Sequence, residues 1–203
     1  METAKPVTDG RRARSVVSRT KIIQAMVELV AAGDPDPSAA AVADKAGVGL
    51  RSVFRHFEDK DAIFHAIDDL LVAAYQPLLD APYRSKDWNG QLFELIDRRC
   101  AINEASAVFR ISAVMQRYRS HFVAEKYRRL YAGEKRMLDA ILPSELQSST
   151  RPGRAILLAC SFDSWRLLRQ DESLSPEQTV IAIKELVGDI MVLSVDPSSF
   201  EHR

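Results

Sequence analysis

The sequence has little cysteine and no long apolar run, and each shortage excludes a class of protein. Its two cysteines, Cys100 and Cys160, make no disulfide framework and have no CxxC or His–Cys metal spacing, so we expect both to be buried structural residues. No uninterrupted apolar run approaches the roughly 20 residues that span a bilayer. The first residues lack the apolar core of a signal peptide, which predicts a cytoplasmic protein with no membrane association.

The signatures of enzymes are also missing. The sequence has neither a glycine-rich phosphate loop nor a GxSxG motif. Its four histidines have no metal-ligand spacing with each other (His56, His65, His121 and His202). His121 and Glu125 lie four residues apart, but one such pair is a weak indication of a metal. We therefore expect no enzymatic activity, no metal and no cofactor.

The composition is that of a globular protein, with 46% hydrophobic and 28% charged residues among 203. This length permits one or two domains and a sizeable core. A net charge of zero leaves nucleic-acid binding open, because the local distribution of charge matters more. Between Arg11 and Lys21 the chain has five cations and no acid. Such a run is either a solvated tail or an arm that follows DNA phosphates or enters a minor groove.

The spacing of apolar residues predicts an all-α fold of about nine helices, and no segment alternates as a strand does. We expect Pro77 to bend or end one helix, and Pro82 and Pro143 to end others. The predicted helices are residues 19–32, 38–46, a short third helix after Gly49, 59–79, 88–103, 105–117, 122–142, 152–169 and 175–193.

The segment Gly47–Lys60, GVGLRSVFRHFEDK, is the most informative part of the chain. Ser38 can cap the short alanine-rich helix before it, and Gly47 follows that helix where a left-handed residue ends it without a Cβ penalty. Val53 and Phe57 are four residues apart and face inward, so the residues between them face outward or flank that face. Two short helices joined by a glycine-containing turn are typical of a helix-turn-helix, whose second helix enters the major groove.

Residues 19–67 resemble the N-terminal domain of the TetR family of transcriptional repressors. The motifs that carry the resemblance are Val42-Ala43 in the second helix, Ala46–Val48 at the turn, the run Phe54–Phe57, and Asp59-Lys60 at the start of the fourth helix. The remainder of the chain matches only in being helical and of the expected length. The resemblance implies an N-terminal DNA-binding domain followed by a larger helical domain that binds an effector and forms a homodimer.

The resemblance also implies the roles of individual residues. Ser52, His56 and Lys60 match positions that contact DNA phosphates in the family. The predicted DNA-binding residues are Leu50, Arg51, Ser52, Phe54, Arg55, His56, Lys60 and Arg19. Among these, Leu50, Arg51 and Phe54 match positions that meet base edges or the nearby backbone, although Phe54 could equally be a core aromatic.

The chain departs from the family pattern at three positions. Gly49 replaces the usual serine cap, and Arg51 stands where small residues are common. Phe54 replaces a residue that is often tyrosine, which removes one hydroxyl that could bond a phosphate.

The last two predicted helices are apolar over more than one face, and a terminal helix of this kind needs a second surface. In the family these helices form the four-helix bundle of a homodimer. We therefore predict a dimer interface, with packing inside one chain as the alternative. Its predicted residues are Phe162, Trp165, Ile183, Val187 and Ile190. A two-fold dimer would match a palindromic double-stranded operator.

Several polar groups interrupt the apolar stripes of the middle helices, as in a pocket for a small-molecule effector. Alternatively, each is an ordinary buried or rim residue. The candidate effector residues are Arg99, Asn103, Met115, Tyr118, Tyr127, Tyr131 and Asp163.

These patterns predict four segments: a basic arm (1–17), a helix-turn-helix domain (18–65), a domain for effector binding and dimerisation (66–195), and a tail (196–203). The function that they favour is that of a sequence-specific transcription regulator, a repressor that an unidentified small molecule releases from its operator. The alternative is a helical dimeric adaptor or scaffold without specific DNA binding.

Overall fold

The computed structural model describes the backbone of residues 8–195 and the side chains of residues 12–194. Within this range every regular element is helical and no strand occurs, so the all-α prediction is confirmed. The α-helices are α1 (Thr8–Ala31), α2 (Ala39–Ala46), α3 (Leu50–His56), α4 (Lys60–Asp80), α5 (Trp88–Gln116), α6 (His121–Asp139), α7 (Arg151–Ala159), α8 (Phe162–Arg166) and α9 (Pro176–Val195). A 3₁₀ turn covers Ser144–Leu146 and a π-helical turn covers Leu167–Asp171.

The first helix is longer than the sequence predicts. Helix α1 begins at Thr8, so the basic run is helical over its whole length and is not an extended arm. Residues 11–31 contain no glycine or proline that could interrupt the helix. The first seven residues of the predicted arm and the predicted tail, 196–203, lie outside the described residues.

Two predicted helix boundaries are wrong. Helix α5 is continuous where a break near residue 104 was expected; residues 91–116 contain no glycine or proline. The hydroxyl of Ser106 donates to the carbonyl of Ile102 (2.6 Å), as a serine does inside a continuing helix. Conversely, the helix predicted over 152–169 is divided after Ala159. Ser161 starts the next helix by accepting a hydrogen bond from the Ser164 N–H (3.2 Å).

Helix α4 contains Pro77 and continues to Asp80, one turn beyond the residue that was expected to bend or end it. Among the described residues it is the one helix whose length and composition would suit a bilayer. One such helix is weak evidence for a membrane span, and its first turn carries Lys60 and Asp61.

The chain forms two compact units. The described part of the first unit runs from Thr8 to Ala74 and from Val108 to Glu125, and it contains the first three helices and parts of α4, α5 and α6. Helix α1 packs against α2 and α3, and Phe109 of α5 packs on the same core. The largest buried side chains of this core are Ile22, Met26, Val42, Val53, Phe57, Ile63 and Ile67.

The second unit contains Tyr75–Ala107 and the chain from Lys126 onward. Helix α7 packs against α9, and the rings of Phe162 and Trp165 stack with their centroids 5.5 Å apart. Its buried apolar side chains include Leu92, Leu95, Ile96, Leu138, Ile156, Phe162, Trp165, Ile183 and Val187.

Candidate DNA interface

The turn between α2 and α3 has the geometry of a helix-turn-helix. The Ser38 hydroxyl accepts a hydrogen bond from the Ala41 N–H (3.1 Å) and so caps α2. Gly47 is left-handed (φ 64°, ψ 37°), and its N–H and that of Val48 bond back to the carbonyls that end α2. Gly49 is extended (φ −68°) and starts α3 without a side-chain cap. Glycine at 47 therefore sets the angle at which the two helices meet.

Helix α3 divides its side chains between the core and the surface. Val53 and the adjoining Phe57 are buried, with 1% and 3% of their surface exposed. Leu50 and Phe54 are 45% and 52% exposed, so Phe54 is not a core residue. The exposed arginines of α3, at positions 51 and 55, complete a surface of apolar and guanidinium groups. Such groups meet thymine methyls and guanine edges in a major groove.

Arg19 connects α1 to the end of α3. Its Nη1 donates to the carbonyl of His56 (3.3 Å), and its guanidinium lies 4.4 Å from the centroid of the Phe57 ring. Ser52 is half-buried, and its hydroxyl accepts a hydrogen bond from Arg55 Nη2 (3.3 Å). Arg19 thus ties α1 to the end of α3, whereas the contact of Ser52 stays within α3.

His56 is half-buried, and its Nε2 is buried without a hydrogen-bond partner among the described residues. Burial, and then the positive charges of Arg55 and Arg19, hold the pKa of His56 below its ordinary value of 6.5. The imidazole is therefore mostly neutral at pH 7. A phosphate contact from His56 would therefore be a hydrogen bond and not an ion pair.

Lys60, at the start of α4, forms an ion pair with Asp36 in the loop between α1 and α2. The other carboxylate oxygen of Asp36 lies 3.8 Å from Nη1 of Arg119, in the turn between α5 and α6. Neither Asp36 nor Arg119 was predicted to take part in the site. One sequence feature could have indicated Asp36: it stands between Pro35 and Pro37, which stiffen the loop.

A second set of contacts holds the α1–α2 loop and the α5–α6 turn in place. The Ser112 hydroxyl and the Gln116 amide both donate to the carbonyl of Pro35, at 2.6 and 3.0 Å. The Ser120 hydroxyl donates to the carboxylate of Asp61 in α4 (2.6 Å). No sequence pattern could have found these contacts, because the partners are 59 to 81 residues apart.

The candidate effector residues do not converge on one pocket. Arg99 and Asn103 are buried at a crevice of the second unit, which Ile96, Cys100, Cys160 and Ile183 also line. The crevice is too narrow for an ordered water molecule. The others are exposed or half-buried: Met115 and Tyr118 belong to the first unit, and Tyr127, Tyr131 and Asp163 to the second.

The two cysteines at this crevice are buried and free, as expected for structural residues. Burial raises the pKa of Cys100 to about 12 and that of Cys160 to about 11. Both thiols are therefore protonated and unreactive near neutral pH.

The predicted dimer residues lie mainly inside one chain. Phe162, Trp165, Ile183 and Val187 are buried in the core of the second unit, and Ile190 is half-buried. A helix that is apolar over two faces can pack either one inside its own chain, and the sequence does not say which. The apolar side chains of this region that are exposed are Leu158, Leu167, Ile181, Leu186, Val192 and Leu193.

Comparison with known proteins agrees with this geometry. Residues 22–67 match the family model of bacterial regulatory proteins of the tetR family. A transcriptional regulator from Rhodococcus sp. Rha1 has a similar fold, with a TM-score of 0.69 and 19% identity over 85% of this chain and 95% of that one. A TetR transcription regulator from Haloarcula marismortui has a TM-score of 0.65 and 16% identity over the same shares. No curated protein matches.

The left-handed turn, the buried face of α3 and its exposed arginines define a helix-turn-helix DNA-binding protein. Within that class, the match of residues 22–67 assigns the N-terminal part of the chain to the tetR family of bacterial regulatory proteins.

Proposed function

We propose that this TetR-family regulator is a repressor that binds a palindromic operator as a homodimer and leaves it when a small molecule binds. The observation that carries the proposal is the exposed face of α3, which presents Leu50, Arg51, Phe54 and Arg55 while Val53 anchors the helix in the core. A recognition helix needs both properties, because side chains must reach base edges from a rigid support.

The DNA-binding residues divide by role. Arg51 is exposed near the start of α3, where a guanidinium can bond a guanine at two atoms and so specify a base. Ser52, His56 and Lys60 contact phosphates, which position the protein but do not read the sequence. On this division the first unit binds DNA, and the second unit binds the effector and forms the dimer.

The dimer surface that we propose is the exposed apolar set of α7 and α9, not the buried residues beside it. Ile181, Leu186 and Val192 expose apolar surface along one 20-residue helix. Gly188 supports the proposal, because a Cβ added there would meet no atom within 4 Å. Packing inside one chain therefore does not require glycine at 188, whereas close approach of a second helix would use it. TetR-family regulators typically dimerise.

The effector site that we propose is the crevice at Arg99 and Asn103. Two buried polar side chains among Ile96, Ile183 and the thiols are the combination that orients a small ligand in an apolar site. The crevice is closed, so the ligand must bind a form of the protein in which it is open. The change in DNA-binding free energy that the ligand causes then equals the difference between its binding free energies for the open and the closed form.

Selection of binding sites from random DNA with the purified protein tests the operator proposal. We expect two inverted half-sites whose centres are about 34–36 Å apart, or a multiple of that distance. A single unrepeated site would contradict the dimeric repressor. Selection without any enriched site would favour the helical adaptor instead.

Transcription from a promoter that carries the selected site then separates repression from activation. We expect expression of the protein to lower transcription from this promoter and to leave a scrambled-site promoter unchanged. An increase would identify an activator.

A further inference from the structure

The corner of the first unit that contains Lys60 holds one acid between two cations. Asp36 pairs with Lys60 through one carboxylate oxygen and faces Arg119 Nη1 at 3.8 Å through the other. Two neighbouring acids bond elsewhere: Asp59 accepts the N–H of Ala62 (2.8 Å) and Asp61 accepts the hydroxyl of Ser120 (2.6 Å). Asp36 is therefore the carboxylate that Lys60 and Arg119 share.

The protein holds this arrangement in place. Asp36 lies between two prolines, its N–H bonds the Asp34 carboxylate (3.0 Å), and the carbonyl before it accepts the two donors of α5. Arg119 is held near Asp36 because the next residue, Ser120, is bonded to α4. The Arg119 side chain is 81% exposed, so it can leave Asp36 for a partner in solvent without opening the core.

We infer that Arg119 is a further DNA-phosphate contact and that Asp36 weakens DNA binding by competing with the phosphates for both cations. The inference rests on the proposed role of Lys60. DNA presents one phosphate about every 3.4 Å of axis on each strand, so two cations that share one carboxylate can reach neighbouring phosphates of one backbone. When DNA binds, the phosphates replace Asp36 as the partners of Lys60 and Arg119.

Three variants test the inference in the full-length protein: Asp36→Asn, Arg119→Gln and Lys60→Ala. The probes are a fluorescein-labelled random-sequence duplex and the duplex recovered by selection, titrated at several salt concentrations. Phosphate contacts carry no sequence information, so each variant should change affinity for both duplexes by the same factor. Asp36→Asn should tighten binding about two- to fivefold, the size of an exposed ion-pair effect.

Arg119→Gln should lower the slope of log affinity against log salt by about 0.9 for each Arg119 that contacts DNA. It should also cost more affinity in the Asp36→Asn background than in the wild type, because Arg119 no longer has to leave a partner. The matched controls lie in the second unit. Arg84→Gln removes an arginine that is also mostly exposed (90%) and faces Glu94, and Asp171→Asn breaks an ion pair with Arg166. Both should leave affinity and slope unchanged.

The outcomes separate this inference from the proposed function. If Lys60→Ala weakens binding while Asp36→Asn and Arg119→Gln behave as their controls do, the inference is wrong and the role of Lys60 stands. If Lys60→Ala also has no effect, the proposed phosphate contact of Lys60 fails and the inference fails with it. Weaker binding by Asp36→Asn, with an unchanged melting temperature, would show that Asp36 supports DNA binding and would overturn the inference directly.

Discussion

Ser112 of α5 donates a 2.6 Å hydrogen bond to the carbonyl of Pro35, which lies 77 residues earlier in the loop between α1 and α2. Gln116, one turn further along α5, donates to the same carbonyl (3.0 Å) and to the Ser112 hydroxyl. Both side chains are buried, so water cannot replace the bonds that they make. This contact fixes the loop that carries Asp36.

Ser112→Ala should destabilise the first unit by about 1–2 kcal/mol, because it removes a tertiary hydrogen bond and leaves a polar site partly unsatisfied. Urea unfolding followed by circular dichroism measures the effect. Ser106→Ala is the matched control, since Ser106 is also buried in α5 but bonds only its own helix. Equal losses in the two variants would show that the bond to Pro35 contributes nothing specific.

The two glycines of the recognition turn should respond to substitution in opposite directions. Gly47→Ala should cost about 1–2 kcal/mol, because Gly47 is left-handed and alanine adopts that conformation poorly. Gly49→Ser should stabilise the protein by a few tenths of a kcal/mol, because Gly49 is extended and a serine can cap α3 there. A Cβ at either position meets no atom within 4 Å, so steric clash does not confuse the comparison. The melting temperatures of the two variants should therefore shift in opposite directions from that of the wild type.

The recognition turn could be predicted because its causes are local in sequence. These causes are a helix cap, a left-handed glycine and two inward-facing apolar residues. The structure confirms all of them, at Ser38, Gly47, Val53 and Phe57. Local reasoning could not place Trp165 and Ile183, which are buried within one chain. An apolar residue in a two-faced helix fits a dimer interface and a core equally well, and only the packed structure decides between them.

Two other features depend on contacts distant in sequence. The pairing of Asp36 with Lys60 and Arg119 requires three segments to meet, and none of them carries a pattern that names the others. The effector site stays a prediction. Polar residues within apolar stripes predicted a pocket, but most of them lie at the surface, where a polar side chain needs no partner.

The stability of the second unit should depend on pH through Glu94. Hydrogen bonds from the Ser85 hydroxyl (2.6 Å) and from the N–H groups of Arg84 and Ser85 hold the pKa of Glu94 at about 2, below its ordinary 4.5. A lowered carboxylate pKa stabilises the fold above about pH 4.5, and this contribution is lost as the pH falls toward 2. The difference in unfolding free energy between wild type and Glu94→Gln should therefore shrink across this range. A difference that stays constant from pH 7 to 2 would contradict it.

Arg51→Ala should change which sequence the protein prefers. If Arg51 bonds a guanine at two atoms, its loss costs roughly 1–3 kcal/mol at that base pair and relaxes the choice there. Repeating the selection with the variant measures this directly, and Lys60→Ala is the contrast because a phosphate contact should weaken all sites alike. An unchanged site preference for Arg51→Ala would make Arg51 a backbone contact.

Leu186→Glu should convert the dimer into a folded monomer. Leu186 is 48% exposed in one chain, so a glutamate there meets water in the monomer but would be buried without a partner in the proposed interface. Sedimentation at micromolar concentration measures the association, and circular dichroism shows whether the fold persists. Leu130→Glu on α6 is the control, since Leu130 is 46% exposed and lies outside the proposed interface. A glutamate at Ile183, which is buried in the core, should instead unfold the second unit.

Because each monomer carries one recognition helix, dissociation should also abolish tight binding to a two-half-site operator. A Leu186→Glu protein that remains a dimer would exclude Leu186 from the interface.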